Sequence, residues 1–214
     1  MYKIISSSSK GNCVIYFGCV MVDCGVPFKD VKRYLNDVRL ILLTHEHGDH
    51  LNSATLLKIS KEYPLIRFGV PNHLVQIVLD IGVDNRKIDS ISLFYSAKVY
   101  NYGLFKIAPI KLYHDVPNFG YRIFKDGSRV IHCTDTAHLE GIEAKGYDLY
   151  AIEGNYCENK VKQIIKEKQE KGEVAYQIGS INSHLSIQQA QEFYIKNKKD
   201  NSQIVYLHQS ENSL

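Results

Sequence analysis

The chain has 214 residues, of which 44% are hydrophobic, and we expect one domain over residues 1–214 with a single substantial core. Its formal net charge of +3 permits a polyanionic partner without requiring one. The first residues lack the basic and apolar regions of a signal peptide, and no stretch is long and apolar enough for a membrane span, so we expect a cytoplasmic protein. Five cysteines without paired spacing favour reduced thiols over a disulfide framework.

The first part of the chain is predicted to form short strands joined by turns. We expect strands over 2–6, 12–17 and 20–23, with a polar Ser/Lys/Gly/Asn loop between the first two. This loop is rich in backbone amides that can hold an anionic oxygen, although turn chemistry alone would also explain it. An amphipathic helix over 28–35 and an apolar strand over 38–43 follow.

That apolar strand leads into a cluster of metal-type ligands with the sequence His-Glu-His-Gly-Asp-His. Residues two apart in an extended chain point to the same side, so His45 and His47 can face one cation together. Gly48 is expected to let the backbone turn tightly, after which Asp49 and His50 can reach a second position nearby. Imidazole-rich and mixed imidazole–carboxylate sites suit zinc, and the mixed site also suits manganese or iron.

The alternative is a group of surface histidines at a strand end, with Asp49 capping a helix that begins near Asn52. Capping accounts for the one acid but for none of the three histidines, so a metal site is the better interpretation. Beyond this cluster we expect helices over 53–63 and 72–80, with a strand over 66–70 between them.

His-x-His-x-Asp-His after an apolar strand resembles the signature of the metallo-β-lactamase fold, and this copy is most similar to the phosphodiesterase branch with RNase Z, RNase J and YycJ-type nucleases. The resemblance extends over nearly the whole chain. It implies an α/β fold, an αβ/βα four-layer sandwich, with two divalent metal ions, Zn²⁺ or alternatively Mn²⁺. YycJ-like proteins carry a similar Ser-rich Gly-Asn-Cys hairpin at the edge of the cleft, which implies substrate contact by Ser9 and Asn12. Asp23 corresponds to an acid that supports the metal histidines.

The second half is predicted to open with three strands, over 91–94, 98–100 and 104–112. His114 follows the last of them. A histidine at a strand end is commonly a surface residue, but His-Asp followed by Pro117 and Phe119-Gly120-Tyr121 resembles the third-histidine motif of YycJ-like proteins. That resemblance implies that His114 binds the same metal as His45 and His47.

A strong hairpin signal, Asp126-Gly127, joins strands predicted over 121–125 and 129–132. The second strand leads to Asp135 in a Thr-Asp-Thr turn. A carboxylate has two oxygens and can bridge two cations, and the resemblance gives Asp135 this role, with an Asx-turn acid as the alternative.

A strand predicted over 203–207 ends in His208, and the residues after it resemble the last ligand motif of the family. The full set implied by the resemblance is His45, His47 and His114 for one metal, Asp49, His50 and His208 for the other, and Asp135 between them. Weaker ligand candidates are Cys133 and Cys157, which lie near these residues in the sequence.

Glu153 ends a strand predicted over 148–153 and resembles the acidic motif of RNase J and RNase Z. In that branch the acid pairs with a later histidine, here His184. A glutamate raises the pKa of such an imidazole, so His184 could donate a proton to a leaving oxygen. The alternative for His184 is packing at the start of a helix predicted over 187–195. Asn155, in the same Glu-x-Asn stretch, is expected to contact substrate.

These residues predict a dinuclear hydrolase in which Asp49 orients or deprotonates water and His184, with Glu153, serves the leaving group. The pair favours phosphodiesters, so the leading hypothesis is a nuclease that acts on DNA or RNA. The first alternative is a phage-type cyclic-nucleotide phosphodiesterase that degrades bacterial defence signals. The second is a β-lactamase or thioesterase-like hydrolase. A homodimer is expected only by analogy with the family.

Overall fold

The computed structural model of the chain describes residues 1–93, 98–175 and 177–210. The chain divides into two compact units, Met1–Ser96 and Ala97–Leu214. Each unit contains a six-stranded sheet that combines antiparallel and parallel pairs. Among the described residues, every helix is too short or too polar to cross a membrane.

In the first unit the strands lie in the sheet in the same order as in the chain. They are β1 (Tyr2–Ser8), β2 (Gly11–Tyr16), β3 (Val20–Val22), β4 (Leu40–Leu42), β5 (Arg67–Pro71) and β6 (Ile88–Ile91). The first three pair antiparallel, and β3 to β6 pair parallel. β1 is therefore an edge strand, and its pairing with β2 places Lys3 opposite Ile15 and Ser7 opposite Asn12.

Helices occupy the connections between the parallel strands, because parallel neighbours cannot be joined by a hairpin. They are α1 (Phe28–Val31), α2 (Ser53–Glu62) and α3 (Val75–Asp80), with 3-10 turns at Lys32–Tyr34, Asn72–Leu74 and Asn85–Lys87. The helices bury Val31, Leu56 and Ile59 against Ile41 and Phe68 of the sheet. This packing gives the first unit its own apolar core.

The second unit has the strand order β12-β11-β10-β9-β8-β7. These strands are β7 (Tyr100–Asn101), β8 (Lys106–Tyr113), β9 (Pro117–Lys125), β10 (Ser128–Cys133), β11 (Leu149–Glu153) and β12 (Gln203–Leu207). β7 to β10 pair antiparallel, and β10 to β12 pair parallel. The helices of this unit are α4 (Glu158–Glu170), α5 (Gln177–Ser183) and α6 (Ile187–Asn197).

The core of the second unit forms where α6 packs on the sheet. Ile131, Tyr150 and Ile152 of the strands are fully buried with Ala190 of α6. The hydroxyl of Tyr150 lies 2.6 and 2.8 Å from the backbone oxygens of Ala144 and Asn197 and accepts the backbone N–H of Tyr147, so burial leaves this polar group satisfied. The core thereby fixes the strands whose ends carry the candidate site residues.

Most predicted elements are present, with shifted boundaries. The hairpin at Asp126-Gly127 is confirmed, because both residues have positive φ, 50° and 79°. The helix predicted over 28–35 becomes a 3-10 turn after Val31. The sequence does not predict α5, since Gly, Ser and Asn in this segment are poor helix formers. The strand predicted over 91–94 is shifted to 88–91, and Phe94 lies outside the described residues.

Candidate metal centre

The N-terminal donor cluster (His45, His47, Asp49 and His50) lies in the segment between β4 and α2. His45 and His50 are fully buried, and Nε2 of His45 lies 3.2 Å from Nδ1 of His47. Two nitrogens bound to one tetrahedral zinc at about 2.0 Å would lie about 3.3 Å apart. The spacing of these two ring nitrogens therefore fits a shared cation.

Asp23 supports His50 within the first unit. Its buried carboxylate lies 2.7 Å from Nδ1 of His50 and accepts the backbone N–H and hydroxyl of Thr44. Burial raises the pKa of Asp23, although the charge and hydrogen bond of His50 act against this rise. Because Nδ1 of His50 donates to Asp23, Nε2 keeps the lone pair that a metal requires.

Asn12 lies at the start of β2 and is only 4% exposed. Its Nδ2 lies 2.9 Å from Nε2 of His50 and 3.1 Å from Oδ2 of Asp49. Its backbone N–H donates to the carbonyl of Asp49. The structure places this side chain among candidate ligands, where it can hold their positions, and the substrate contact that the sequence predicts for Asn12 stays a prediction. Ser9 is exposed in the turn after β1, so substrate contact by Ser9 stays a prediction.

Gly25, rather than Gly48, is the glycine that this segment requires. A Cβ at Gly25 would lie 1.7 Å from the carbonyl oxygen of Asp49. A Cβ at Gly48 would meet nothing within 4 Å, and its φ is not in the left-handed region. The tight turn predicted at Gly48 is present, since the backbone N–H of His50 donates to the carbonyl of His47, but the backbone conformation at Gly48 is open to other residues.

Gly25→Ala is expected to lower the free energy of unfolding by about 3 kcal/mol, because the backbone of Asp49 must move away. It should also weaken zinc binding. Gly48→Ala makes the same chemical change nearby and should alter stability by less than about 0.5 kcal/mol. Urea unfolding of both variants measures the difference, and equal midpoints for Gly25→Ala and the parent protein would contradict this close packing.

The C-terminal donor cluster (Asp135, Glu153, His184 and His208) belongs to the second unit. These residues offer four donor atoms that all lie within 4.8 Å of one another. Three of them follow or end β10, β11 and β12, whose carboxyl ends meet at one edge of the sheet. Asp135 and His208 have positive φ, 54° and 48°, a strained conformation that is typical of functional sites.

Asn118 in β9 supports the strained turn at Asp135. Its Nδ2 donates to the carbonyls of Thr134 and Asp135, at 2.8 and 2.6 Å, and the residue is 2% exposed. The sequence does not indicate this role, because the partners of Asn118 are backbone carbonyls 16 and 17 positions later in the chain. The structure thus identifies a positioning residue that sequence reasoning misses.

Asn118→Ala is expected to weaken zinc binding by about tenfold, the lower end of the range for residues that orient ligands. The loss follows because two hydrogen bonds that hold the Asp135 turn disappear. Competition with a chromophoric chelator measures the affinity, and Asn36→Ala, on an exposed residue, is the matched control. The same zinc affinity in both variants would show that Asn118 does not support the site.

Glu153 joins two histidines of the C-terminal donor cluster. It is fully buried, and its Oε1 lies 2.6 Å from Nδ1 of His184 and 3.2 Å from Nδ1 of His208. Its Oε2 accepts backbone N–H groups of Thr136 and Leu185. The pairing of Glu153 with His184, which the sequence predicts, is present in the structure.

The protonation of His184 follows from these contacts. Burial acts to lower its pKa, but the hydrogen bond and charge of Glu153 and the charge of Asp135 outweigh this effect, so the pKa of His184 is raised. Its imidazole is consequently protonated up to a higher pH than that of a free histidine. A protonated imidazole in this position can act as a general acid.

His114 follows β8 in the second unit. Its Nδ1 lies 3.2 Å from the carbonyl oxygen of Ser183, and its Nε2 lies 3.0 Å from Oδ1 of Asp115. The ring of His114 contacts that of His184 edge-on at 5.2 Å. Burial lowers the pKa of His114. The neutral imidazole, which is the form that binds metals, is therefore favoured.

Asn155 is 7% exposed, and its Nδ2 lies 2.9 Å from the backbone oxygen and 3.1 Å from Nδ1 of His208. These contacts allow Asn155 to support His208, and the substrate contact that the sequence predicts for Asn155 stays a prediction. Burial raises the pKa of Cys133 to about 12, so its thiol stays protonated in the core. Cys157 precedes α4. Neither cysteine joins a group of metal-type donors within the described residues.

A family model described as a β-lactamase superfamily domain matches residues 20–208. This match covers most of the chain and every candidate metal ligand. The chain belongs to the β-lactamase superfamily. The single domain predicted over residues 1–214 stays a prediction.

Two proteins with similar sequences are named exodeoxyribonucleases. WalJ of Streptococcus pneumoniae is 26% identical over an aligned length of 223 residues, and the alignment covers 96% of this chain and 80% of WalJ. YycJ of Bacillus anthracis is 25% identical over 171 residues, which cover 72% of this chain and 62% of YycJ. These matches confirm the predicted resemblance to the phosphodiesterase branch with YycJ-like proteins.

The structure of human tRNase Z, short form, matches with a TM-score of 0.70 at 15% identity, over 98% of this chain and 92% of that protein. At this identity the match shows a shared fold. It confirms the predicted α/β fold class of the metallo-β-lactamase type.

Proposed function

We propose that the chain is a dinuclear metal-dependent phosphodiesterase, and more narrowly a nuclease that acts on DNA or RNA. The observation that carries this proposal is the buried carboxylate of Glu153, 2.6 Å from Nδ1 of His184 and close to Asp135 and His208. Such a pair supplies the proton that a poor leaving oxygen needs. The names of the exodeoxyribonuclease and tRNase Z relatives support a nucleic acid substrate.

The proposed metal ligands are His45, His47 and His114 for one ion, Asp49, His50 and His208 for the other, and Asp135 for both. This imidazole-rich set suits Zn²⁺, with Mn²⁺ as the alternative. The 3.2 Å between ring nitrogens of His45 and His47, and the hydrogen bond from Nδ1 of His50 to Asp23, which makes Nε2 the lone-pair nitrogen of that ring, support the fit. Two divalent cations in such a set supply Lewis acidity towards phosphoryl oxygens and make water a stronger acid.

The protein groups hold and transfer the protons. Asp49, whose side chain is 25% exposed, orients the attacking water or accepts its proton. Protonated His184, held through Nδ1 by Glu153, donates from Nε2 to the leaving oxygen. A β-lactamase or thioesterase has less need of this second acid, so the pair favours phosphodiesters.

A panel of substrates tests the proposal. Zinc- or manganese-loaded protein should cut single-stranded DNA, double-stranded DNA or RNA, and the binding of these polymers should weaken steeply with salt. Cleavage of cyclic mononucleotides alone would favour the phage-type signalling phosphodiesterase instead. Turnover of a chromogenic cephalosporin with every phosphodiester intact would contradict the proposed reaction class.

A further inference from the structure

We propose that a basic pocket on the first unit, here called the β1–α1 pocket, binds the backbone of a nucleic acid strand. Lys3, Lys29 and Arg33 line this pocket together with Asp30 and Tyr34, and its volume is about 470 Å³. None of the candidate metal ligands lines it. The inference rests on the proposed nuclease function and adds a place where the substrate strand is held.

The local sequence explains how three cations meet there. Val31 is buried in the core and anchors the helical segment, which turns its opposite face outward. Lys29 and Arg33 are four residues apart and exposed, as expected for neighbours on that outer face. Lys3 comes from the edge strand β1, and its Nζ lies 4.8 Å from the centroid of the Tyr34 ring. The positive charge of the pocket therefore comes from two separate elements, the strand β1 and the helical segment that follows β3.

The positive charge of the β1–α1 pocket is largely uncompensated. Within the part of the chain that the structure describes, no carboxylate forms an ion pair with Lys3, Lys29 or Arg33. Asp30 also lines the pocket, which leaves an excess of two positive charges. Like charges held close together repel one another, so such a cluster is typical of a surface that binds a polyanion.

Tyr34 gives the pocket an aromatic component. Lys3 Nζ and Arg33 Cζ both lie 4.8 Å from the centroid of its ring. Cation–π contacts of this kind hold the two cationic groups at the pocket. Lysine and arginine donate to phosphate oxygens, and bases stack on aromatic rings or guanidinium planes. This combination suits a nucleic acid strand better than an acidic peptide.

β1 connects the pocket to the N-terminal donor cluster. Lys3 and Ser7 are four residues apart, about 13 Å along a strand. Ser7 pairs with Asn12, and Nδ2 of Asn12 lies 2.9 Å from Nε2 of His50. A stacked strand with one phosphate per roughly 3.4 Å covers the distance from Lys3 to Ser7 with about four nucleotides. One substrate strand can thus reach both places.

The test compares two triple variants that each remove three positive charges. The pocket variant removes the three cationic side chains of the pocket with the substitutions Lys3→Ala, Lys29→Ala and Arg33→Ala. The control variant replaces three exposed lysines elsewhere with the substitutions Lys61→Ala, Lys106→Ala and Lys145→Ala. Binding of a fluorescent single-stranded DNA is measured by anisotropy in EDTA, where metal-dependent cleavage does not interfere. At 150 mM salt the pocket variant should bind on the order of tenfold more weakly, and its log–log salt slope should fall by about 2. The control should bind within about twofold of the parent protein.

Hydrolysis of bis(p-nitrophenyl) phosphate by the metal-loaded proteins separates the two proposals, because this substrate is too small to need the pocket. All three proteins should hydrolyse it equally. If all three proteins hydrolyse this compound equally and the pocket variant binds DNA as tightly as the control, the proposed DNA-binding role of the pocket is overturned while the nuclease function stands. Equal weakening in both triple variants would show a general charge effect and would also overturn the pocket. If the parent protein hydrolyses neither this compound nor DNA, the proposed function itself is overturned.

Discussion

Asp135→Asn is expected to reduce phosphodiester hydrolysis by on the order of 10³-fold or more. Asp135 is 2% exposed, and its Oδ1 lies 3.5 Å from Nε2 of His208. Asparagine keeps the shape of the side chain and tolerates the left-handed backbone at this position, but it lacks the negative charge. A metal site contributes several kcal/mol to the transition state, and each 1.4 kcal/mol is about tenfold in rate.

The chain offers a closely matched control for this substitution. Asp126 also has a positive φ, 50°, and lies in the exposed turn of the hairpin. Asp126→Asn therefore makes the same chemical change in the same backbone conformation and should leave activity and unfolding unchanged. The measurements are kcat/KM with single-stranded DNA and zinc content. An Asp135→Asn protein with full activity would contradict the role proposed for this carboxylate.

His184→Ala is expected to lower kcat with DNA by about 10²- to 10⁴-fold, the usual contribution of a general acid. The loss should be much smaller with bis(p-nitrophenyl) phosphate, because p-nitrophenolate leaves without first taking up a proton. Zinc content should stay close to that of the parent protein, since His184 is not among the proposed ligands. The ratio of the two losses is the measured quantity.

His73→Ala is the control for this substitution, because His73 joins no group of metal-type donors among the described residues. It should leave both activities unchanged. Equal losses with the two substrates in His184→Ala would contradict proton donation to the leaving group. Loss of zinc from that variant would indicate a metal-binding role for His184 instead.

The local part of the site could be predicted from the sequence. His45 and His47 are two residues apart after an apolar strand, and this spacing alone brings their ring nitrogens together. The hairpin at Asp126-Gly127 was equally predictable, because the two residues themselves determine the turn. The pairing of Glu153 with His184 required the family resemblance, since the two residues are 31 positions apart in the chain.

Contacts between distant backbones could not be predicted in this way. Gly25 is required by the carbonyl of Asp49, which lies 24 positions later in the chain, and no local pattern records that approach. Asn12 and Asn155 have the residue type of substrate contacts. Their burial and their short distances to His50 and His208, which could not be predicted from residue type, also place them where they can support candidate ligands.

Zinc titration of the metal-free protein, followed by cleavage of single-stranded DNA at each step, tests the proposed dinuclear phosphodiesterase most directly. We expect two zinc ions per chain at saturation, no cleavage in excess chelator, and cleavage that appears as the sites fill. Cleavage that persists in excess chelator, or a protein that binds no zinc or manganese, would contradict the proposed metal-dependent mechanism.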